Sequence, residues 1–368
     1  MTRRFLYSGS SMNVEVIQPS ELTAELLARW DEIQSDNAAL QNPYFRPEYV
    51  QAIARLRKDV EIAVMEQDGE PCGFFAYQRD RWNAATPVGG RISDYQGVIA
   101  APQLSWTADE LLKQARLRGF RFDHLLASQP QWSAGVAKEH DSPYLDLTGG
   151  FEEYRNRRRQ QGCVRMKQFL SKLRKLEREV GPVRLVPFSV DPDVFKQLII
   201  WKSAQYQHAG LANLFRLPNV ALMLGELLKP SGPKFKATLS ALYAGETLAA
   251  AAYSLVGGGV WHICFPSYNF DLEQYSPGAL LITRLAQEAS ELGITQIDLG
   301  KGEAKYKTIF ASAAVRVSEG SLDRSPTMRG FQNLWLRTRD LVKSSPFYGP
   351  AKRPLRWLRE TLDWLAYR

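Results

Sequence analysis

The segment LEQYSPGALLITR, residues 272–284, marks the passage from a strand into a helix. It follows an apolar, strand-like run at residues 260–265. Ser276 is a favourable N-cap, and Pro277 suits the first helical position. Gly278 leaves the N–H groups of the first turn uncovered, and together with the helix dipole such groups bind anions. The segment therefore predicts an anion site, and a plain structural cap is the alternative.

The same order of elements occurs twice along the chain, at a slowly drifting offset that is about 171 residues in the first helical segment, which indicates an internal duplication. Each copy has a helical pattern, two apolar runs joined by a glycine-containing turn, a second helix and a strand. The paired segments are 61–65 with 237–242, 72–77 with 248–255, 108–118 with 278–292, and 122–126 with 297–299. The alternative interpretation is that the two halves have the same order of elements because they share a fold, or by chance, without a duplication.

The length of 368 residues suits two domains that each bury a core. We predict an N-terminal domain at 13–140, a second at 141–325 and a helical tail at 326–368. Three cysteines far apart in the chain exclude a disulfide framework and zinc-ligand spacing, so we expect no metal and a reducing, cytoplasmic setting. No secretory apolar run and no apolar window of membrane-spanning length occurs.

The net charge of +8 is concentrated in two places. Residues 155–178 carry ten basic residues against Glu177 alone, within a pattern that predicts one long helix over 151–179, ended by Gly181. This helix is either a solvated face or a cationic wall beside a phosphate-bearing ligand. Residues 329–368 interleave Arg and Lys with Trp and Leu. We expect that tail to pack on the domains, or to contact an anionic membrane or a polysaccharide synthase.

Several of these features together resemble one family. Tyr275 to Gly278, the helix ending at Gly293, the strand and loop at 297–302 and the pair Tyr306 and Lys307 are similar to GNAT-type acyltransferases associated with bacterial cellulose and exopolysaccharide synthesis. The related Fem peptidyltransferases share a tandem GNAT arrangement. The resemblance, over 142–312, implies a mixed α/β (α+β) fold with two tandem GNAT-like domains, each a mixed central sheet flanked by helices.

The resemblance also implies a donor site. Acyl-coenzyme A, most simply acetyl-coenzyme A, would have its pyrophosphate held by backbone N–H groups of the loop that matches the family's, formed by Tyr275, Ser276, Pro277, Gly278, Ala279 and Leu280, of which Pro277 has no N–H to donate. The usual pattern, Gln or Arg, two residues, Gly, one residue, then Gly or Ala, is not kept, so this loop is a Ser-Pro-Gly variant. The first copy has QLSW at 103–106 with no glycine, which predicts a degenerate N-terminal half.

Acyl transfer needs a group that takes the acceptor's proton and a group that protonates the leaving thiolate. His262, on the strand before the loop, has an ordinary pKa that suits a base. Asp298 ends the next strand and would orient the base or bind an acceptor hydroxyl. Tyr306 is a candidate proton donor and Lys307 a candidate phosphate contact. Each residue also has a structural alternative: His262 would pack within its strand, Asp298 would cap the next loop, and Lys307 would be solvated.

The sequence thus predicts a cytoplasmic enzyme, peripheral at the inner membrane if the tail binds there. It would move an acyl group to an amine or hydroxyl of a sugar or cell-envelope precursor. An aminoacyl-tRNA-dependent Fem-like transferase is one alternative, and nucleic acid is expected as a partner only in that case. A non-catalytic subunit of polysaccharide assembly, docked through residues 326–368, is the other.

Overall fold

A computed structural model describes residues 12–163, 165–302 and 304–325, so the expected tail at 326–368 lies outside the described residues. The strands are β1 (Asn13–Ile17), β2 (Val60–Gln67), β3 (Glu70–Arg79), β4 (Ala84–Thr86), β5 (Ile99–Ala100), β6 (Gly119–Leu126), β7 (Val136–Asp146), β8 (Val183–Ser189), β9 (Phe235–Ala244), β10 (Thr247–Gly257), β11 (Val260–Tyr268), β12 (Gln296–Asp298) and β13 (Ala313–Asp323). The helices are α1 (Ala24–Ser35), α2 (Pro47–Ala54), α3 (Ala108–Gln114), α4 (Gly150–Gln160), α5 (Arg165–Glu179), α6 (Pro192–His208), α7 (Val220–Leu227), α8 (Pro277–Glu288) and α9 (Lys305–Phe310).

These strands form one mixed sheet in the order β1-β2-β3-β4-β6-β13-β7-β12-β11-β10-β9-β8, with β5 paired to β3. Neighbours are antiparallel except β4 with β6 and β11 with β12, which are parallel. Helices cover the faces of the sheet, so the expected mixed α/β fold is confirmed.

The two halves follow the same plan. The series β1, α1, α2, β2, β3 corresponds in order to β8, α6, α7, β9, β10. Each half then has a strand, a helix and two further strands: β4, α3, β6 and β7 in the first half, and β11, α8, β12 and β13 in the second. This agrees with the tandem arrangement expected from the repeated order of elements.

The final strands of the halves are exchanged at the centre of the sheet. β13 lies between β6 and β7, and β7 lies between β13 and β12. β7 and β13 pair from Tyr144 with Ala313 to Val136 with Gly320. At Gly320 the backbone of residue 135 approaches so closely that no side chain fits. Main-chain hydrogen bonds therefore join the halves into one continuous sheet, and residue 140, the expected domain boundary, lies inside β7.

The basic region differs from the single helix that the sequence predicts. It forms two helices, α4 and α5, with residues 161–163 outside both. Gly162 in this break has a φ of +83°, a left-handed conformation that a continuous helix cannot contain. The expected end at Gly181 is confirmed, since α5 stops at Glu179.

Strand β11 also departs from the simple alternation expected from its sequence. Trp261 and Ile263 pack in the core beside α8, whereas Phe265 packs in the opposite core with Tyr253. The register between β10 and β11 skips Cys264, which makes a β-bulge there. The extra residue turns Phe265 to the face that also holds His262, whereas unbroken alternation would place it on the opposite face.

Candidate functional site

A charged cluster lies where the two halves meet, with His262 at its centre. The parallel pairing of β11 with β12 sets His262 beside Asp298, and both side chains are completely buried. His262 Nδ1 is 3.3 Å from Asp298 Oδ1. On the other side, His262 Nε2 is 3.0 Å from Oδ2 of Asp94, which the N-terminal half contributes. Asp94 keeps 26% of its side chain exposed, so the cluster reaches solvent at this carboxylate.

Asp298 is fixed by several donors. The Tyr95 hydroxyl donates to Asp298 Oδ2 at 2.6 Å, and the Gly300 N–H donates to Oδ1 at 2.7 Å. Ser142 Oγ lies 3.5 Å from Oδ1. Gly300 has a φ of +70°, and a Cβ there would approach Asp94 to 3.2 Å. The bend after β12 therefore needs glycine, and it keeps Asp298 in one orientation.

The charges around His262 decide its protonation. Burial lowers the pKa of His262, but Asp298 and Asp94 outweigh burial and raise the pKa to about 9. The imidazole is therefore protonated at neutral pH, and the base role expected for His262 does not fit this environment. Burial raises the pKa of Asp94, but its hydrogen bond to His262 and the nearby positive charges hold it below the ordinary value. Asp94 is therefore ionised at neutral pH, and it is the carboxylate of this cluster that faces solvent.

Lys307 and Tyr306 lie near this cluster. Lys307 is only 9% exposed, and its Nζ donates to the carbonyls of Gly300 and Lys301 at 2.9 Å each. Burial lowers the pKa of Lys307, although Asp94 and Asp298 act in the opposite direction. Burial raises the pKa of Tyr306, and the charge of Asp94 adds to that shift. The structure thus brings His262, Asp298, Tyr306 and Lys307 to one region, where Lys307 holds the loop after β12.

Cys264 also borders the cluster, through a contact of 3.4 Å between its Sγ and the Tyr44 hydroxyl. Burial raises the pKa of this thiol above its ordinary range. A thiol that stays protonated is a poor nucleophile, so Cys264 is not suited to covalent catalysis.

The expected donor loop lies at the start of α8. Ser276 adopts a left-handed conformation with a φ of +59°, and its side chain accepts from Lys172 Nζ at 2.7 Å instead of capping the helix. The Ser276 carbonyl accepts from the N–H groups of Ala279 and Leu280. Of the six loop residues, Tyr275, Pro277 and Leu280 are buried, whereas Ser276, Gly278 and Ala279 are partly exposed.

Helix α5 supplies the positive charge beside this loop. Besides Lys172, Lys175 lies 5.7 Å from the centre of the Tyr275 ring. The Tyr275 hydroxyl donates to Glu179 Oε2 at 2.8 Å, which ties the loop to the end of α5. The basic helix therefore packs directly against the start of α8, with Lys172 and Lys175 beside the loop.

Strand β11 connects the charged cluster with the donor loop. Tyr268, at its end, lies six residues beyond His262, or about 20 Å along an extended strand. β12 ends at Asp298, opposite His262, while β11 continues. Among the described strands, none pairs with this side of β11 beyond Asp298, so a gap opens between the two groups.

Sequence reasoning missed the contribution of the N-terminal half. Asp94, Tyr95 and His124 form no local motif, and Asp94 is 168 residues from its partner His262. Only the packing of the two halves brings them together. Among the described residues there is no group of acidic, histidine or cysteine side chains suited to a metal, and no helix is long and apolar enough to cross a membrane.

Residues 164–308 match a family model described as an acetyltransferase (GNAT) domain. The chain carries a GNAT-type domain. None of the curated proteins compared with the chain matches it. The match ends before β13, and it includes β11, α8 and β12, which hold both groups of the site.

Solved structures share the fold of the GNAT domain and its partner half. The crystal structure of FemX superposes with a TM-score of 0.57 at 10% identity, covering 87% of this chain and 99% of that one. The C-terminal domain of a protein from Agrobacterium fabrum described as a lysylphosphatidylglycerol synthetase superposes with a TM-score of 0.51 at 13% identity, covering 86% and 95%. At these identities the likeness shows the fold alone.

Proposed function

We propose that this protein is an acyltransferase that moves an acyl group, acetyl in the simplest case, from acyl-coenzyme A to an acceptor amine or hydroxyl. The observation that carries the proposal is the Asp94–His262–Asp298 cluster, which opens to solvent where β12 ends in the GNAT domain. Following the sequence resemblance, we propose a sugar or another cell-envelope or exopolysaccharide precursor as the acceptor.

The start of α8 is the proposed site for the donor's phosphates. Lys172 and Lys175 place two ammonium groups beside the loop, and Gly278 keeps its first turn open. A Cβ at Gly278 would meet only Tyr268, at an ordinary 3.4 Å. Positive side chains next to a helix N-terminus favour a pyrophosphate. Acyl-coenzyme A would supply the thioester, whose C–S bond breaks when the acceptor attacks.

The charged cluster is the proposed site of proton removal. The acceptor's nitrogen or oxygen attacks the thioester carbon, the C–S bond breaks and the acceptor's proton passes to Asp94. Protonated His262 fixes Asp94 by a hydrogen bond, and Asp298 fixes the imidazole from the other side. The thiolate leaves and takes a proton from water. A held carboxylate is a suitable first acceptor because it needs no reorganisation.

Calorimetric titration with coenzyme A and acetyl-coenzyme A tests the donor site. We expect micromolar binding by the wild type, and about tenfold or greater loss in Gly278→Trp, whose side chain would fill the space beside the start of α8 where the pyrophosphate would lie. Gly278→Ala is the matched control and should bind normally. The absence of binding at millimolar ligand in the folded wild type would refute acyl-coenzyme A as the donor.

An aminoacyl-tRNA donor is the second candidate, and the surface of α5 favours it. Arg165, Lys167 and Arg174 are exposed, and none forms an ion pair within the part of the chain that the structure describes. Free basic residues along one helix suit a phosphate backbone. Binding of tRNA should then weaken steeply with salt and weaken further in Arg165→Gln. Weak binding that is insensitive to salt would eliminate this candidate.

We also propose that the protein acts in the cytoplasm, with residues 326–368 as the contact to a polysaccharide synthase or to the anionic inner membrane. The basic and aromatic composition of this segment supports the proposal. Flotation of the full chain with anionic vesicles, compared with a chain ending at residue 325, tests the membrane contact. Equal flotation of both chains would argue against it.

A further inference from the structure

The charged cluster continues beyond Asp94 as an alternating series of carboxylates and imidazoles. Asp94 Oδ1 lies 3.5 Å from His124 Nε2, and His124 Nδ1 lies 3.0 Å from Asp123 Oδ1. The series is therefore Asp298, His262, Asp94, His124, Asp123. Its inner end is completely buried, whereas 48% of the Asp123 side chain is exposed. The series runs from the interior of the sheet to solvent.

Neighbouring groups hold the outer part in place. Gln96 donates through Nε2 to Asp123 Oδ1 at 2.6 Å, and its Oε1 accepts from the N–H groups of Asp123 and His124. Lys301 Nζ donates to the Asp123 carbonyl. The amide therefore fixes both the carboxylate and the backbone that carries the imidazole, which sets His124 between Asp123 and Asp94.

Charged and titratable groups from several elements face Asp94. His262 and His124 contact it directly, and the charge of Lys307 lowers its pKa. Its own charge acts on four tyrosine hydroxyls and one thiol: Tyr44, Tyr95, Tyr206, Tyr306 and Cys264. None of these phenols or this thiol titrates near neutral pH, because burial raises each pKa. Of the groups named here, the two imidazoles are the ones that contact Asp94 directly.

We infer that His124 and Asp123 form a proton relay between Asp94 and solvent. Asp94 accepts the acceptor's proton and gives it to His124 Nε2, while the Nδ1 proton of His124 passes to Asp123 and then to water. Each transfer moves one proton and leaves His124 protonated on Nε2 instead of Nδ1, and a half-turn of the ring then restores the starting tautomer. The chemistry at the first step rests on the proposed function, whereas the path from the buried imidazole to solvent does not.

The chemistry of the groups suits transfer in this direction. The pKa of Asp94 is below its ordinary value, so this carboxylate does not retain a proton at neutral pH. Imidazole accepts a proton on one nitrogen while it releases one from the other, so a proton crosses His124 without movement of the ring. Burial raises the pKa of Asp123, but its interactions with His124, Gln96 and Lys301 together outweigh burial and lower the pKa to about 2, so Asp123 does not retain a proton in water.

Exchange of the His262 imidazole proton with water tests the relay without any substrate. The chain has four histidines, so the imidazole signals of the full protein can be assigned by substitution and followed by 15N NMR. We expect exchange at His262 to slow by about tenfold or more in His124→Gln, which can hydrogen-bond but cannot exchange protons at neutral pH. Asp123→Asn should also slow exchange. His140→Gln, on β7 and paired with Glu319, is the matched control and should leave exchange unchanged.

The direction of the change separates a relay from a structural role. If His124 only supports packing, its loss loosens the cluster and exchange at His262 becomes faster, which would overturn the inference. Unchanged exchange in both His124→Gln and Asp123→Asn would mean that Asp94 passes protons directly to water, and would also overturn it. Where acetyl-coenzyme A is consumed, imidazole in the buffer should restore turnover in His124→Gln but not in Asp94→Asn. Failure of the wild type to consume it would count against the proposed donor and leave the exchange result intact.

Discussion

The buried imidazole of His262 should make the stability of this protein fall as the pH rises above neutrality. The pKa of His262 is about 9 in the folded chain, against an ordinary value of 6.5, because Asp298 and Asp94 outweigh burial. A group with a raised pKa in the folded state stabilises that state fully below its unfolded pKa. The contribution is then lost as the pH rises from 6.5 to about 9. The difference corresponds to about 3 kcal/mol at 1.36 kcal/mol for each pH unit.

Urea unfolding of the wild type and of His262→Gln at pH 6 and pH 9.5 measures this contribution. Lys202 titrates in the same range, because burial and the charge of Lys307 lower its pKa to about 8, so the comparison must be between the two proteins. His262→Gln will be less stable at pH 6, since it leaves two carboxylates without their cation. The wild type should lose about 3 kcal/mol more than the variant between the two pH values, or about 1 M in urea midpoint.

Two results would refute this reasoning. One is a wild-type stability that changes with pH in parallel with His262→Gln, since the imidazole would then contribute nothing in this range. The other is a titration midpoint for His262 at or below its ordinary value, measured by 15N NMR in the folded chain. Asp298→Asn should move that midpoint downward, because Asp298 contributes most to raising the pKa.

Two further predictions concern the fold. Lys202→Met should stabilise the protein by up to about 3 kcal/mol at pH 7 and by nothing above pH 10.5. A buried lysine with a lowered pKa destabilises the folded state until the pH is high enough for the same lysine to lose its proton in the unfolded chain. Urea unfolding at the two pH values measures the difference. Gly320→Ala should lower the free energy of unfolding by about 3 kcal/mol, because its Cβ would collide with the Gly135 backbone where β13 enters the sheet. Gly225→Ala is the control, because Gly225 lies in α7 with open space around it, and its free energy of unfolding should rise by about 0.5–1 kcal/mol. If Gly320→Ala is as stable as Gly225→Ala relative to the wild type, the close approach at Gly320 is contradicted.

The two halves contribute unequally to the site. The N-terminal half has no glycine at 103–106, where the repeat would place a donor loop, and this underlies the expectation of a degenerate half. It nevertheless supplies Asp94, Tyr95 and His124 to the cluster around His262. The site therefore depends on both halves, and substitutions in the first half are expected to alter the chemistry of the second.

The sequence by itself determined the features that short segments encode. The order of helices and hairpins in each half follows from apolar spacing and glycine-containing turns, which act within a dozen residues. The start of α8 at Pro277 and the end of α5 before Gly181 follow from local backbone preferences. His262 and Asp298 could be proposed because each lies on a strand next to the donor loop.

Only the tertiary structure decided how these segments combine. The exchange of β7 and β13, the bulge at Cys264 and the partnership of Asp94 with His262 depend on residues far apart in the chain. The protonation of His262 depends on two carboxylates that arrive from different strands and different halves. A pKa reflects the charges and burial around a group in space, and a strand chooses its neighbours by long-range hydrogen bonding, so neither is encoded in the local pattern.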